Sequence, residues 1–258
     1  MQTQALRIET GIRPLDAHLA IPAGQGPFPA ILVIQEVWGL TDHIKDLAER
    51  FAKAGYVALA PDLYTGEHRA ALTPERIRAN FGAMRDPAKR DAILAGPPSP
   101  EQETLQALMG LLSPDGRLAM ARALVDVLHH LRRRPDIDGT RTGSIGFCMG
   151  GALSGLLATL DPDLRAAAIF YGDHPPLDQL DGIRAALFGA YGETDHRLSD
   201  PVPAFAEAMQ KAGKRFDYKI YAGAGHAFFN DDRPDVYNVD AARDAWVRVL
   251  DFFNRQLS

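Results

Sequence analysis

The chain has 258 residues, of which 46% are apolar and 24% are charged, as is typical of one large domain with a well-filled core. A net charge of −5 without any basic stripe argues against a nucleic-acid partner. The single cysteine excludes an internal disulfide and a cysteine-rich metal site. No signal-peptide core precedes the first strand, and no apolar run reaches the roughly 18 residues that span a membrane. We therefore expect a cytoplasmic protein without a membrane partner, and a monomer.

Seven segments have the composition of β-strands. Most are continuous apolar runs, which are typical of parallel strands covered on both faces, whereas the first alternates as an edge strand does. In chain order the predicted strands are Leu15–Ile21, Ala30–Ile34, Tyr56–Ala60, Ser144–Phe147, Ala166–Tyr171, Ala185–Tyr191 and Phe216–Tyr221.

Helical patterns lie between these strands. The first has Thr41 or Asp42 as an N-cap and Gly55 just beyond its end, which are ordinary start and stop signals. The alternation of strands and helices predicts an α/β fold, a mostly parallel sheet flanked by helices that binds ligands at the carboxyl ends of its strands. The predicted helices are Asp42–Lys53, Leu118–Leu131, Gly151–Leu160, Pro203–Ala212 and Val239–Arg255.

Residues 65–117 interrupt this alternation. Two helical fragments, Pro74–Met84 and Gln102–Leu112, are separated by a segment rich in proline and glycine. About fifty residues without a strand are too many for a simple crossover. We interpret them as a lid or side wall over the site, in a chain that otherwise forms a single domain over residues 1–258. A surface embellishment without a catalytic role is the alternative.

Cys148 lies at the centre of Gly146-Phe147-Cys148-Met149-Gly150, which has the form G-x-C-x-G. This is the thiol version of the G-x-S-x-G nucleophile elbow, a tight turn from a strand into a helix that forces its central residue into strained φ/ψ. The first N–H groups of the following helix can then stabilise a thiolate or an oxyanion. We interpret Cys148 as a nucleophile, and a buried structural cysteine is the alternative.

A thiol nucleophile needs a base, and the base needs an orienting partner. His226 follows the last predicted strand in a glycine-rich loop, and Asp195 follows the strand before it. The order Cys148, Asp195, His226 is the nucleophile–acid–histidine order of α/β-hydrolases. Three other carboxylates also lie near strand ends or helix starts and compete with Asp195, namely Asp173, Glu193 and Asp200.

Glu36 follows the strand Ala30–Ile34 in a loop that we expect beside Cys148. A carboxylate there would disfavour the thiolate and hydrogen-bond the neutral thiol. We therefore expect Glu36 to hold Cys148 inactive until substrate displaces it, although a helix-capping or salt-bridging glutamate is the alternative. The backbone N–H groups of Val37 and Met149 are the expected oxyanion donors.

No cofactor or metal is indicated by the remaining motifs. The sequence contains no G-x-G-x-x-G after the first strand, no P-loop and no H-x-x-x-H pair. His174 is one of three histidines on the strand-end side, with His43 and His196. The residues that we expect in the substrate pocket are Trp38, Tyr64, His174 and Phe228.

These motifs together resemble the dienelactone hydrolase (carboxymethylenebutenolidase) family of α/β-hydrolases. The resemblance rests on Gln35–Gly39, Gly55–Tyr64, Gly146–Gly151, Asp195 and Gly225–Phe228, which follow the family's order over most of the chain. It implies an α/β-hydrolase fold, a Cys–His–Asp triad of Cys148, His226 and Asp195, Glu36 as partner of the resting thiol, and cofactor-free hydrolysis of small esters or lactones.

Two positions depart from the family pattern, in which arginines clamp a substrate carboxylate. Thr65 and Asn230 occupy these positions, and Arg69 and Arg233 are possible replacements. We therefore expect neutral esters or lactones to react at least as well as an anionic dienelactone. A non-hydrolytic ligand-binding protein and a thiol redox sensor on the same fold are the alternative functions.

Overall fold

The computed structural model describes residues 1–66 and 68–258. Within these residues, the strands form one sheet in the order β1-β2-β4-β3-β5-β6-β7-β8. Strand β2 runs antiparallel to both of its neighbours, and all the other adjacent pairs are parallel. The strands are β1 (Gln2–Ile8), β2 (Leu15–Ile21), β3 (Phe28–Ile34), β4 (Val57–Pro61), β5 (Ile137–Phe147), β6 (Ala166–Phe170), β7 (Ala186–Gly192) and β8 (Phe216–Tyr221).

Helices cover both faces of the sheet. They are α1 (Asp42–Lys53), α2 (Pro74–Arg85), α3 (Pro87–Ala95), α4 (Pro100–Leu112), α5 (Pro114–Arg132), α6 (Met149–Leu160), α7 (His196–Ser199), α8 (Val202–Lys211) and α9 (Val239–Gln256), with a 3₁₀ helix over Leu177–Gly182. Within the described residues, no helix is both long enough and apolar enough to cross a membrane.

Strand β3 shows how the sequence produces a two-sided core. Successive side chains on a strand point to opposite faces. Leu32 and Ile34 accordingly join one buried cluster, to which α5 and α6 contribute, while Ile31 and Val33 join a second cluster with α1 and α9. A strand buried on both faces needs an uninterrupted apolar run, which is why these residues do not alternate with polar ones.

All seven predicted strands and all five predicted helices are present, with ends that differ by a few residues, most of all in β5. Strand β1 escaped prediction, because its side chains are mostly exposed and it lacks an apolar run. Its presence corrects the position of Leu15–Ile21, which lies between β1 and β4 and not at the edge of the sheet.

The segment 65–117 contains helices α2, α3 and α4 and the first residues of α5. The two predicted fragments correspond to α2 and α4, whereas α3 was not predicted. Three of these helices begin in the same way: a Thr or Ser hydroxyl accepts a hydrogen bond from a first-turn N–H, and proline follows it, as at Thr73, Ser99 and Ser113. Phe81 of α2 and Leu112 of α4 both extend to the cavity beside Cys148.

Candidate active site

Cys148 lies in the turn between β5 and α6, as the G-x-C-x-G motif predicts. Its backbone has φ 55° and ψ −115°, a conformation that non-glycine residues rarely adopt. The turn is fixed by the Cys148 N–H, which donates to Phe170 O at 3.0 Å, and by the Gly151 N–H, which donates to Cys148 O at 3.0 Å. These contacts hold the strained residue at the carboxyl end of the sheet.

The glycines on both sides of Cys148 are required by close backbone approach. A Cβ atom on Gly146 would lie 1.8 Å from Gly150 O, and one on Gly150 would lie 2.4 Å from Ile34 O. Neither carbonyl can move without displacing a buried strand or the start of a helix. The motif therefore needs glycine at these two positions because any larger residue would collide with backbone atoms.

His226 and Asp195 meet Cys148 in a continuous hydrogen-bonded row. His226 Nε2 lies 3.2 Å from Cys148 Sγ, and His226 Nδ1 lies 2.6 Å from Asp195 Oδ2. The loops after β7 and β8 are joined by the Thr194 N–H, which donates to Ala224 O at 3.0 Å. The row brings together three side chains that follow three different strands, β5, β7 and β8.

The carboxylates that competed with Asp195 in the sequence have other partners. Glu193 accepts a hydrogen bond from the Gly223 N–H at 2.9 Å. Asp173 pairs with Arg117 at 3.2 Å and with Arg197 at 2.8 Å, and Asp200 lies 3.3 Å from His196. Of the four candidates, Asp195 is the one in contact with the His226 ring.

The environment of His226 favours the protonated ring. Burial acts to lower the pKa of His226, but hydrogen bonds to Asp195 and to Cys148 outweigh burial and raise this pKa to about 10. The imidazole consequently holds its proton at neutral pH. The Nε2 atom of this ring lies 3.2 Å from Cys148 Sγ, within hydrogen-bond distance of the sulfur.

Backbone strain is concentrated around these residues. Among the residues that the structure describes, the non-glycine positions with positive φ are Cys148 (55°), Tyr171 (38°) and Ala227 (62°). Ala227 directly follows His226, and the Tyr171 ring packs edge-on against the His226 ring at 5.3 Å. Strained residues persist where the surrounding structure fixes them, and they are common at functional sites.

Two cavities open from Cys148 in different directions. Both are lined by Val37, Phe81, Cys148 and His226. The larger has a volume of about 350 Å³, extends past Trp38 and contains Arg78, Arg85 and Arg233. The smaller has a volume of about 140 Å³ and extends past Met149 and Ala152 toward Asp173. We refer to them as the arginine cavity and the Ala152 cavity.

Glu36 is buried in the wall of the arginine cavity, but it does not hydrogen-bond Cys148 as expected. Its Oε2 accepts from Asn230 Nδ2 at 2.6 Å, and its Oε1 has no hydrogen-bond partner among the described residues. Cys148 is instead paired with His226, whose Nε2 lies 3.2 Å from Sγ. Burial raises the pKa of Glu36, and the His43 ring and the Asn230 amide offset only part of this effect.

The segments that carry Val37 and Met149 are joined by Tyr64. The Tyr64 hydroxyl donates to Val37 O at 2.8 Å and lies 3.7 Å from Met149 Sδ. The Tyr64 side chain is therefore buried behind the site, which corrects the expectation that it lines the substrate pocket. Phe228 is also fully buried, packed on Tyr171 and Tyr221, so its expected place in the pocket is wrong as well.

The other two expected pocket residues lie on opposite sides of Cys148. Trp38 lines the arginine cavity, where its ring packs against Phe81 at 5.1 Å. His174 lies beyond the Ala152 cavity, stacked on Phe205 at 4.5 Å. No sequence pattern indicated Phe81, because an aromatic residue on an inserted helix belongs to no motif.

Thr65, at one of the two positions where the family pattern has a clamp arginine, has a structural role. The buried Thr65 hydroxyl donates to Asp62 O at 2.8 Å and accepts from the Asp16 N–H at 3.0 Å, so it connects β2 to the loop after β4. Arg69 forms surface ion pairs with Asp16 and Asp62. Arg69 therefore does not replace a clamp arginine. Arg233, in contrast, lines the arginine cavity.

Arg78 and Arg233 flank the same aromatic ring. Their guanidinium carbons lie 5.9 Å and 5.7 Å from the centre of the Trp38 ring. Arg78 belongs to α2, within the segment 65–117, and no sequence motif indicated it. The cavity therefore contains Arg233, which the sequence offered as a replacement for a clamp arginine, and Arg78, which it did not indicate. Within the described part of the chain, no group of three or more His, Cys, Asp and Glu side chains is placed to hold a metal ion.

Comparison with known proteins gives one consistent result. The model of the dienelactone hydrolase family matches residues 15–257. A protein of Saccharolobus solfataricus, provisionally named carboxymethylenebutenolidase, is 35% identical over 93% of this chain and 93% of its own. A protein of Synechocystis sp. with the same name is 33% identical over 93% and 91%. The crystal structure of a provisionally assigned dienelactone hydrolase from Klebsiella pneumoniae has a TM-score of 0.76 at 26% identity, covering 98% of this chain and 99% of that one.

Proposed function

Because this chain belongs to the dienelactone hydrolase family of α/β-hydrolases, we propose that it hydrolyses small carboxylic esters or lactones through Cys148, His226 and Asp195, without a cofactor. The observation that carries the proposal is the hydrogen-bonded row from Cys148 Sγ through the His226 ring to Asp195. A nucleophile, a base in contact with it and an acid that orients the base are the parts that acyl transfer requires.

In the proposed mechanism the Cys148 thiolate attacks the substrate carbonyl carbon, and the carbonyl oxygen becomes an oxyanion. The backbone N–H groups of Val37 and Met149 are the proposed donors to this oxyanion. As the C–O bond breaks, protonated His226 gives its proton to the leaving alcohol oxygen, and a thioester remains on Cys148. Neutral His226 then takes a proton from water, whose oxygen attacks the thioester and releases the acid. Asp195 stabilises the imidazolium throughout.

We also propose that residues 1–258 form one domain in which 65–117 is a side wall of the site. Phe81 and Arg78 of α2 and Leu112 of α4 support this proposal, since all three line cavities that open from Cys148. We propose in addition that Trp38 and Arg233 belong to the substrate pocket. A small-molecule ester or lactone is the proposed partner.

Site-directed variants test the proposed nucleophile. Cys148→Ala is expected to lower kcat for short p-nitrophenyl esters by about 10⁴- to 10⁶-fold, because loss of a nucleophile removes the covalent route. Cys148→Ser is expected to keep the fold and at most weak activity. Steady-state kinetics with circular dichroism as a folding control decide the matter. Near-normal turnover by the alanine variant would instead favour a non-nucleophilic role for the thiol, such as ligand binding or redox sensing.

A further inference from the structure

A third depression continues the Ala152 cavity away from the nucleophile. Four residues line both of them, namely Leu112, Arg117, Ala152 and Asp173. The continuation has a volume of about 500 Å³, more than three times that of the cavity beside Cys148. We call it the α6 groove, because it extends along α6 from Ala152 to Leu156. These two residues are one helical turn apart, a rise of about 6 Å.

The walls of the α6 groove are largely hydrophobic. Leu153 and Leu156 of α6 lie on one side, Leu118 of α5 on another, and Pro175 and Pro176 after β6 on a third. The His174 ring is held against this wall by stacking on Phe205, with its Nδ1 2.9 Å from Pro175 O. Apolar surface on both sides of a channel favours an apolar occupant, since each buried methylene group gains free energy.

The charged residues at the entrance to the α6 groove form ion pairs with one another. Asp173 lies between two arginines, at 3.2 Å from Arg117 and 2.8 Å from Arg197. The arginine cavity on the opposite side of Cys148 differs, because Arg233 there pairs with Asp235, but Arg78 and Arg85 make no ion pair within the described part of the chain. The nucleophile thus lies between a cationic region and an apolar one.

We propose that the α6 groove binds a linear alkyl chain of the substrate, on one side of the ester or lactone bond that Cys148 attacks. The inference rests on the proposed function and adds a substrate class to it, namely esters or lactones with a medium-length hydrocarbon chain. Its basis is the continuity of the groove with the Cys148 cavity, its apolar walls and the ion pairs that Asp173 forms at its entrance.

The test varies chain length in two series, p-nitrophenyl alkanoates from acetate to octanoate and γ-lactones with alkyl side chains of matching length. In at least one series kcat/KM is expected to rise about two- to fourfold per added methylene. Leu156→Trp and Leu118→Trp fill the groove from two different helices. Each is expected to lower the long-chain to short-chain ratio of kcat/KM at least tenfold. Val247→Trp, at an exposed position of α9, is the matched control and is expected to keep the wild-type ratio.

The possible results separate this inference from the proposed function. A flat dependence on chain length in both series, or tryptophan variants that behave like Val247→Trp, would overturn the α6 groove as a binding site while Cys148-dependent acetate hydrolysis stands. Absence of Cys148-dependent hydrolysis of every ester and lactone would overturn the proposed function itself. A chain-length preference that both groove variants remove supports the inference.

Discussion

At the scale of single residues, the environment of Glu36 differs most from what its position suggests. The carboxylate was expected to hydrogen-bond the thiol, but it is bound to Asn230, at the position where the family pattern has an arginine. An amide donates a hydrogen bond without neutralising the charge that an arginine would neutralise. With asparagine instead of arginine beside the carboxylate, burial is the largest influence on the pKa of Glu36, and it raises this pKa.

The raised pKa of Glu36 predicts that the alkylation rate of Cys148 differs between the wild type and Glu36→Gln, and that the difference depends on pH. Burial raises the pKa of Glu36, so the carboxyl stays neutral above the usual titration range of a glutamate. Below its pKa, Glu36→Gln should be alkylated by iodoacetamide at the wild-type rate. As pH rises through that pKa, the carboxylate of the wild type forms and disfavours the thiolate, so the variant should react faster.

Rates of alkylation between pH 5 and 9, followed by intact mass, measure this effect. Asp42→Asn, which removes an exposed carboxylate on α1, serves as the matched control and should follow the wild-type profile. Superimposed profiles for the wild type and Glu36→Gln over the whole range would show that the charge on Glu36 does not act on the thiol.

At the scale of elements, the turn between β5 and α6 depends on glycine at positions where two backbone segments approach closely. Gly150→Ala would bring a Cβ atom within 2.4 Å of Ile34 O and 2.5 Å of Gln35 O, both backbone atoms of the β3 end. We expect a loss of stability of about 1–3 kcal/mol or more, because neither segment can retreat. Urea unfolding measures it.

Gly82→Ala on α2 is the matched control for that substitution. Gly82 has no atom within 4 Å of its ideal Cβ, and it lies inside a helix. Alanine there should raise stability by about 0.5–1 kcal/mol through helix propensity. Equal changes in stability for Gly150→Ala and Gly82→Ala would mean that the close approach of backbone atoms to Gly150 does not require glycine there.

The inserted helix α2 leads to a revised expectation for substrate charge. The sequence predicted that neutral substrates react at least as well as anionic ones, because Thr65 and Asn230 replace the clamp arginines. The structure places Arg78 and Arg233 in the arginine cavity, and these two cations reverse the charge preference that we expect. A charge-assisted hydrogen bond contributes about 1.5–3 kcal/mol. A carboxylate-bearing lactone should therefore exceed its neutral methyl ester in kcat/KM by at least tenfold.

Arginine variants identify the source of that preference. Arg78→Ala and Arg233→Ala are each expected to reduce the ratio of anionic to neutral kcat/KM, whereas Arg69→Ala is expected to leave it unchanged because Arg69 pairs on the surface. If the wild type does not prefer the anionic lactone, or if all three variants keep the preference, the cations of the arginine cavity do not select the substrate.

At this scale, the sequence predicts those elements whose signals lie in residues that are neighbours along the chain. Apolar runs and the G-x-C-x-G motif depend on neighbouring residues, and they indicated β3 to β8, α1 and the elbow correctly. Strand β1 is stabilised by pairing with β2, residue by residue from Gln2–Ile21 to Ile8–Leu15, and such pairing leaves little trace in composition. Arg78 and Phe81 reach the site through the packing of α2, which no local pattern encodes.

At the scale of the whole molecule, the parallel sheet explains how distant residues form one site. The turn after β5 carries Cys148, the loop after β7 carries Asp195, and the loop after β8 carries His226. All three strands are parallel, so their carboxyl ends lie at the same edge. This arrangement was predictable from chain order, whereas the hydrogen bond from Asn230 to Glu36 was not, since it joins residues 194 positions apart.

The most direct measurement of the central claim is the mass of the protein during turnover. We expect rapid quenching after mixing with a p-nitrophenyl ester to show the protein plus one acyl group, located on Cys148 by peptide mapping. The adduct should be absent from Cys148→Ala and should accumulate in Asp195→Asn if deacylation is slowed more than acylation. Hydrolysis at the wild-type rate without any acyl group on Cys148, or with the acyl group on another residue, would contradict a mechanism in which this thiol is the nucleophile.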